Sequence, residues 1–139
     1  MQHQFTWKET WFLDRLKFGK KMILEIHLVG GKKGTPEEVL VRNINLGVAT
    51  PILRDPSKRA IIRFFRPLTF QRLDESFAAE KGGIYTGERF CVYTKSAYLD
   101  YFSKVSYGIV DSPILHYCMT CADDIIDVLS CDPPEIISC

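Results

Sequence analysis

The sequence predicts a β-rich α+β domain: a bent antiparallel sheet or sandwich of about six to eight strands, with an N-terminal helix and one helix between strands. Three observations carry that prediction. Residues 83–136 alternate short apolar and aromatic runs with turn residues, as strands do. One stretch among them, residues 97–105 (AYLDYFSKV), instead clusters Tyr98, Leu99, Phe102 and Val105 at helical spacing. At the N-terminus, Thr6 and Glu9 have capping-box spacing ahead of an aromatic stripe.

Residues 5–18 therefore read as a helix with Thr6 as N-cap and Trp7, Trp11, Phe12 and Leu16 along one side. Gly19 suits the left-handed position after it, and Lys17, Lys20 and Lys21 complement the negative end of its dipole. The stripe docks on the domain's own core, or on a second copy to make a homodimer, or belongs to an upstream extension of a domain that starts at Met22. Residues 22–29 alternate as a strand with Leu24, Ile26 and Leu28 on one face. The glycine-rich loop 30–34 is not a phosphate loop, because no Gly-Lys-Ser/Thr follows at Walker spacing. Thr35 and Pro36 open a single helical turn. Residues 39–44 are a strand, and 47–53, with a proline inside, are an edge strand or loop. A turn at 55–58 precedes strands over 60–65 and 68–73. Residues 78–83 form a polar, glycine-ended loop. A strand over 84–94 follows, then the helix capped by Ser96, then strands over 114–121 and 123–130 joined by a hairpin turn. Pro133 and Pro134 stop the pattern.

With 139 residues, 46% of them apolar and 25% charged, the chain reads as one domain, 1–139, made of a helical arm (1–21) and a β-rich body (22–139). No apolar run approaches the roughly 18 residues of a membrane span, and the amphipathic N-terminus lacks a secretory apolar core. A cytoplasmic location without membrane contact is the expectation. Five cysteines, an odd and irregular set, fit reduced thiols better than a disulfide framework. Residues 1–72 hold 14 Lys/Arg against 6 Asp/Glu, and residues 73–139 hold 4 against 11. The two halves neutralise each other within one fold, or the imbalance marks a charged partner.

Several constellations bear on chemistry. Cys118 and Cys121 have CxxC spacing, yet they end a strand pattern rather than opening a helix, where the dipole would activate a thiol. Cys131 and Cys139 are too far apart for a second zinc knuckle, so no metal and no cofactor is assigned. A thiol nucleophile needs a base in hydrogen-bond reach, which neither His27 nor His116 supplies by sequence position alone. No catalytic residue is assigned. Arg42, Arg54, Lys58, Arg59, Arg63, Arg66 and Arg72, beside Phe64, Phe65 and Phe70, compose a nucleic-acid surface if they share a face.

Segments 42–51 (RNINLGVATP), 90–100 (FCVYTKSAYLD), 115–117 (LHY), 124–130 (DIIDVLS) and 134–136 (PEI) resemble a family of small, uncharacterised bacterial proteins. These are similar in character to the immunity proteins of polymorphic or contact-dependent toxin systems. The resemblance implies a non-catalytic protein that neutralises a cognate toxin by binding it. An acidic surface of Asp111, Asp123, Asp124, Asp127, Asp132 and Glu135, anchored by aromatics such as Tyr107 and Tyr117, would then meet a basic toxin cleft. Nucleic-acid binding through the basic first half is the alternative.

Overall fold

The computed structural model describes residues 5–78 and 82–138. In chain order the strands are β1 (Trp11–Phe18), β2 (Ile23–Lys33), β3 (Glu37–Val41), β4 (Ile44–Ala49), β5 (Ile52–Phe65) and β6 (Thr69–Asp74). After them come β7 (Ile84–Thr86), β8 (Phe90–Lys95), the helix α1 (Ala97–Val105), β9 (Leu115–Thr120), β10 (Asp124–Ser130) and β11 (Glu135–Ser138). One sheet has the order β1-β2-β5-β11 and a second β6-β10-β9-β8-β7, while β3 and β4 form a hairpin of their own. All strand pairings within the sheets are antiparallel.

Alternation explains why the sheets stack. Leu24, Ile26 and Leu28 of β2 and Ala60, Ile62 and Phe64 of β5 face Tyr117, Met119, Ile126 and Val128 of the second sheet in one buried core. Each such aliphatic side chain contributes about 1.5–3 kcal/mol through burial. The expected β-rich architecture is present, as is the helix at Ala97–Val105, whose cap Ser96 accepts from the Leu99 amide at 3.1 Å.

The N-terminal helix is not formed: α1 lies in mid-chain, and residues 11–18 are the strand β1. Thr6 does initiate local structure, but it closes a turn. Its carbonyl accepts from the Trp11 indole at 2.8 Å, and its hydroxyl from the Lys8 amide at 3.3 Å. β1 then pairs with β2, and a bulge at Asp14 lets Trp11, Leu13, Leu16 and Phe18 share the inward face. Trp7, expected in the same stripe, stacks on Phe90 of the chain's own second sheet, with ring centroids 5.2 Å apart. The proposed homodimer helix therefore has no counterpart.

Smaller departures have local causes. Residues 37–38, expected in a helical turn, begin β3. The expected strand over 39–44 is strand at 39–41, in β3, but it breaks at Arg42 and Asn43, which both take positive φ (50° and 65°), the twist that two-residue hairpin turns require, and Ile44 begins β4. The turn at 55–58 is an irregularity inside the long β5, where the register with β2 shifts between Val29 and Gly30. Residues 84–94 divide into β7 and β8 around Gly87, whose φ is +97°. β11 follows the proline stop and joins the first sheet. Positions 79–81 of the expected loop, and Cys139, lie outside the described residues. Among the described residues, no helix is long and apolar enough to cross a membrane.

Candidate functional site

Two features stand out beyond the core: a buried polar network on the outer face of the second sheet, and an exposed apolar hairpin.

The network starts from strand parity. Tyr117 and Met119 of β9 point into the core, so His116 and Cys118 face outward, His116 against Ser96 and Tyr98 at the start of α1 and Cys118 among Cys91, Tyr93 and Ile125. Asp127 lies directly opposite Cys118 on β10, and Cys91 directly opposite it on β8. His116 Nε2 meets Asp127 Oδ1 at 2.6 Å, its Nδ1 meets Ser96 Oγ at 2.8 Å, and Gln71 Nε2 donates to Asp127 Oδ2 at 3.0 Å. Because the Asp127 carboxylate can only accept, a neutral ring carries its proton on Nε2, toward Oδ1. Nδ1 is then left to accept from the Ser96 hydroxyl, whose oxygen accepts from the Leu99 amide. This is the proton path of a Ser-His-carboxylate triad with the ring nitrogens exchanged. Ser96, His116 and Asp127 are buried, Tyr93 stacks on the imidazole at 4.8 Å, and Tyr98 meets its edge at 5.4 Å. The arrangement fastens the start of α1 to three strands. Desolvation raises the pKa of the Tyr98 phenol above its ordinary value.

The CxxC cysteines separate across the sheet. Cys118 packs on the outer face with Cys91, Tyr93 and Ile125, against Leu73 and Ala78, whereas Cys121 enters the central core, where burial pushes its thiol up to about 12. Cys121 is an inert thiol.

The expected acidic surface is not one face. Tyr117 is 3% exposed and packs in the core against Phe64, so it is no surface anchor. Asp127 is sealed in the network, and Asp124 is buried and bonded to Arg72. Glu135 sits on the outer face of the first sheet, where it pairs with Arg63 at 3.6 Å. Asp123, Asp132 and Asp111 are exposed, in the β9–β10 turn, before β11, and in the loop after α1. Tyr107, the other expected anchor, is 95% exposed.

The basic residues are also spread out. Arg42 is at the hairpin tip, and Arg72 belongs to the second sheet. Arg54 lies over the Phe12 ring at 5.2 Å, while Lys58 and Arg59 reach the Gly31 and Pro56 carbonyls. Arg63 bonds Glu25 at 2.7 Å, in a row of alternating charge that pairs Lys17, Glu25, Arg63 and Glu135 across all four strands of the first sheet. Hydrogen bonds from Arg63, and then from His27, hold the Glu25 carboxyl below its ordinary range. Arg66 is an exposed positive-φ residue after β5. Phe64 is fully buried, so it offers no stacking surface, although Phe65 is half exposed.

The hairpin was not foreseen as a site. Its base is closed by the Gly34 amide on the Pro51 carbonyl at 2.8 Å, and the ends of β2 and β5 continue it as one ribbon. In β3 and β4 every residue except Val39 is exposed. Leu46 and Val48 reach 65% and 71% exposure, and Leu40, Val41 and Ile44 at least half. Val41 pairs with Ile44, and alternation adds Val39 and Leu46 to the same face of the tip. A run of aliphatics within residues 39–48 was readable in the sequence; that neither face would be covered was not.

No protein-family model, curated protein or solved structure matches the chain.

Proposed function

We propose that the chain is a non-catalytic protein-binding domain, immunity-like in role, that captures a cognate toxin through the β3–β4 arm. The observation that carries this reading is an aliphatic hairpin exposed on both faces. Seven side chains, Leu40, Val41, Ile44, Leu46, Val48, Ile52 and Leu53, are each at least 41% exposed. If burying such a side chain fully removes about 60–120 Å² of apolar surface, the arm presents on the order of 400 Å², within the range of functional patches on monomers. At the usual apolar fraction of interfaces, covering it corresponds to roughly 700 Å² per partner, close to a standard specific interface. β3 and β4 pair with each other, so each also offers a backbone edge to which a partner strand can add. β4 carries no charged residue and no proline, the usual protections against pairing, whereas β3 opens with Glu37 and Glu38 and shifts register after them, so β4 is the open edge. The partner is thus one with an apolar groove or an open strand edge.

The test is co-expression with the product of the adjacent gene. Wild type is expected to rescue growth, and Ile44→Lys with Leu46→Lys to abolish rescue while the circular dichroism spectrum stays the same. Rescue by the double variant would overturn the arm assignment. A neighbouring product that is not toxic would remove the immunity role, and a dimer of the chain lost in the same variant would replace the toxin with a second copy.

A further inference from the structure

We propose that the outer face of the second sheet is a binding site for a zinc-class divalent metal ion, with His116, Cys118 and Asp127 as ligands and Cys91 as the fourth. The site is independent of the arm. Three adjacent strands supply it: Cys91 from β8, His116 and Cys118 from β9, and Asp127 from β10, with Cys91 and Asp127 each directly opposite Cys118. The donor atoms of His116, Cys118 and Asp127 already lie within 4.8 Å of one another, and all four residues are buried. A nitrogen, a carboxylate and thiolates make the mixed donor set that zinc accepts in tetrahedral geometry.

The surrounding bonds point the same way. Metal-bound histidines and carboxylates are normally held by a second partner on the atom away from the metal. Here Ser96 Oγ holds His116 Nδ1, itself fixed by the Leu99 amide, and Gln71 holds Asp127 Oδ2. The two atoms left facing each other, Nε2 and Oδ1, are the ones an ion would take. Bond lengths of about 2.0–2.3 Å put tetrahedral ligand atoms roughly 3.3–3.8 Å apart. The 2.6 Å contact between Nε2 and Oδ1 must therefore open by about 0.7 Å, and the widest separation, 4.8 Å, must close by slightly more than about 1 Å. Cys91 Sγ, now 2.8 Å from the Glu88 carbonyl, must turn toward Cys118.

Protons balance simply. The neutral ring's proton moves from Nε2 to Nδ1, where Ser96 Oγ accepts it, and the Cys91 and Cys118 thiol protons leave to solvent. Two thiolates and the Asp127 carboxylate then face one dication, leaving the site with a net charge of −1. No electron is transferred.

The full chain is unfolded under reducing conditions, refolded with an equivalent of Co²⁺ and desalted. One retained cobalt per chain is expected, with the visible bands of a tetrahedral ion and a near-ultraviolet sulfur-to-cobalt band. Cys118→Ser should abolish most of that band, Cys91→Ser should roughly halve it, and Cys121→Ser, on the opposite face, should leave it intact. Ser96→Ala should weaken retention against a competing chelator by about 10–100-fold. Folded wild type without retained cobalt would overturn the proposal, as would a band unchanged in Cys118→Ser or an oxygen-only spectrum. Should Cys118→Ser fail to fold, His116→Gln decides in its place, with retained cobalt again the contrary result.

Discussion

Replacing Ser96 by alanine should cost far more than an ordinary helix cap, because its hydroxyl serves two buried partners. It accepts from the Leu99 amide at 3.1 Å and meets His116 Nδ1 at 2.8 Å. Loss of an N-cap costs about 0.5–2 kcal/mol. An unpartnered buried polar atom adds about 1–3 kcal/mol, and His116 is only 2% exposed. The expected total is about 2–4 kcal/mol, or a melting temperature lower by roughly 10 °C for a chain of this size. Urea denaturation of the metal-free chain measures it, with Ser96→Thr retaining most of the stability because the hydroxyl remains. A cycle with His116→Ala should give a coupling of at least about 1 kcal/mol. A loss under about 1 kcal/mol, or additive single costs, would show that the histidine draws nothing from the serine.

Four further outcomes follow from other parts of the fold. Gly87→Ala should destabilise by more than about 1 kcal/mol, since φ is +97° and the new Cβ would lie 2.1 Å from the Phe90 carbonyl oxygen. Gly47→Ala, with φ +108° and open space around it, should leave the global urea midpoint unmoved, because the arm shares no core. Iodoacetamide on the native chain, followed by peptide mapping, should label exposed Cys131 and leave Cys121 unmodified. Glu25 sets an acid limit. Its folded pKa is depressed by Arg63, so its contribution is complete above the ordinary value of 4.5 and is lost as pH falls through the lower folded value. Urea midpoints should fall less steeply over that window in Glu25→Gln; an identical slope would contradict the pairing.

Much of the second sheet was legible because its side chains alternate and its turns carry Gly, Asp and Pro. β1 was not, for a specific reason. Its inward residues, Trp11, Leu13, Leu16 and Phe18, step by two, then by three across the bulge, then by two. With Trp7 and Phe12 added, that spacing imitates a helical stripe, and Thr6 with Glu9 imitates a cap when it in fact closes a turn. Non-local pairs were invisible. Nothing near Glu135 announces Arg63, and nothing near Asp124 announces Arg72, so the carboxylates looked like one free surface. Ser96 was read as a cap, but its bond to His116 depends on α1 folding back over β9. The arm's aliphatics resemble core strands in composition, and only the absence of a covering layer distinguishes them.

The arm is tested most directly by measuring the affinity of the adjacent-gene product for wild type and for Ile44→Lys with Leu46→Lys at equal ionic strength. Loss of these central aliphatic contacts should weaken binding by at least about 100-fold, equivalent to roughly 2.7 kcal/mol, at unchanged chain stability. Equal affinities for the two proteins would contradict the arm as the contact.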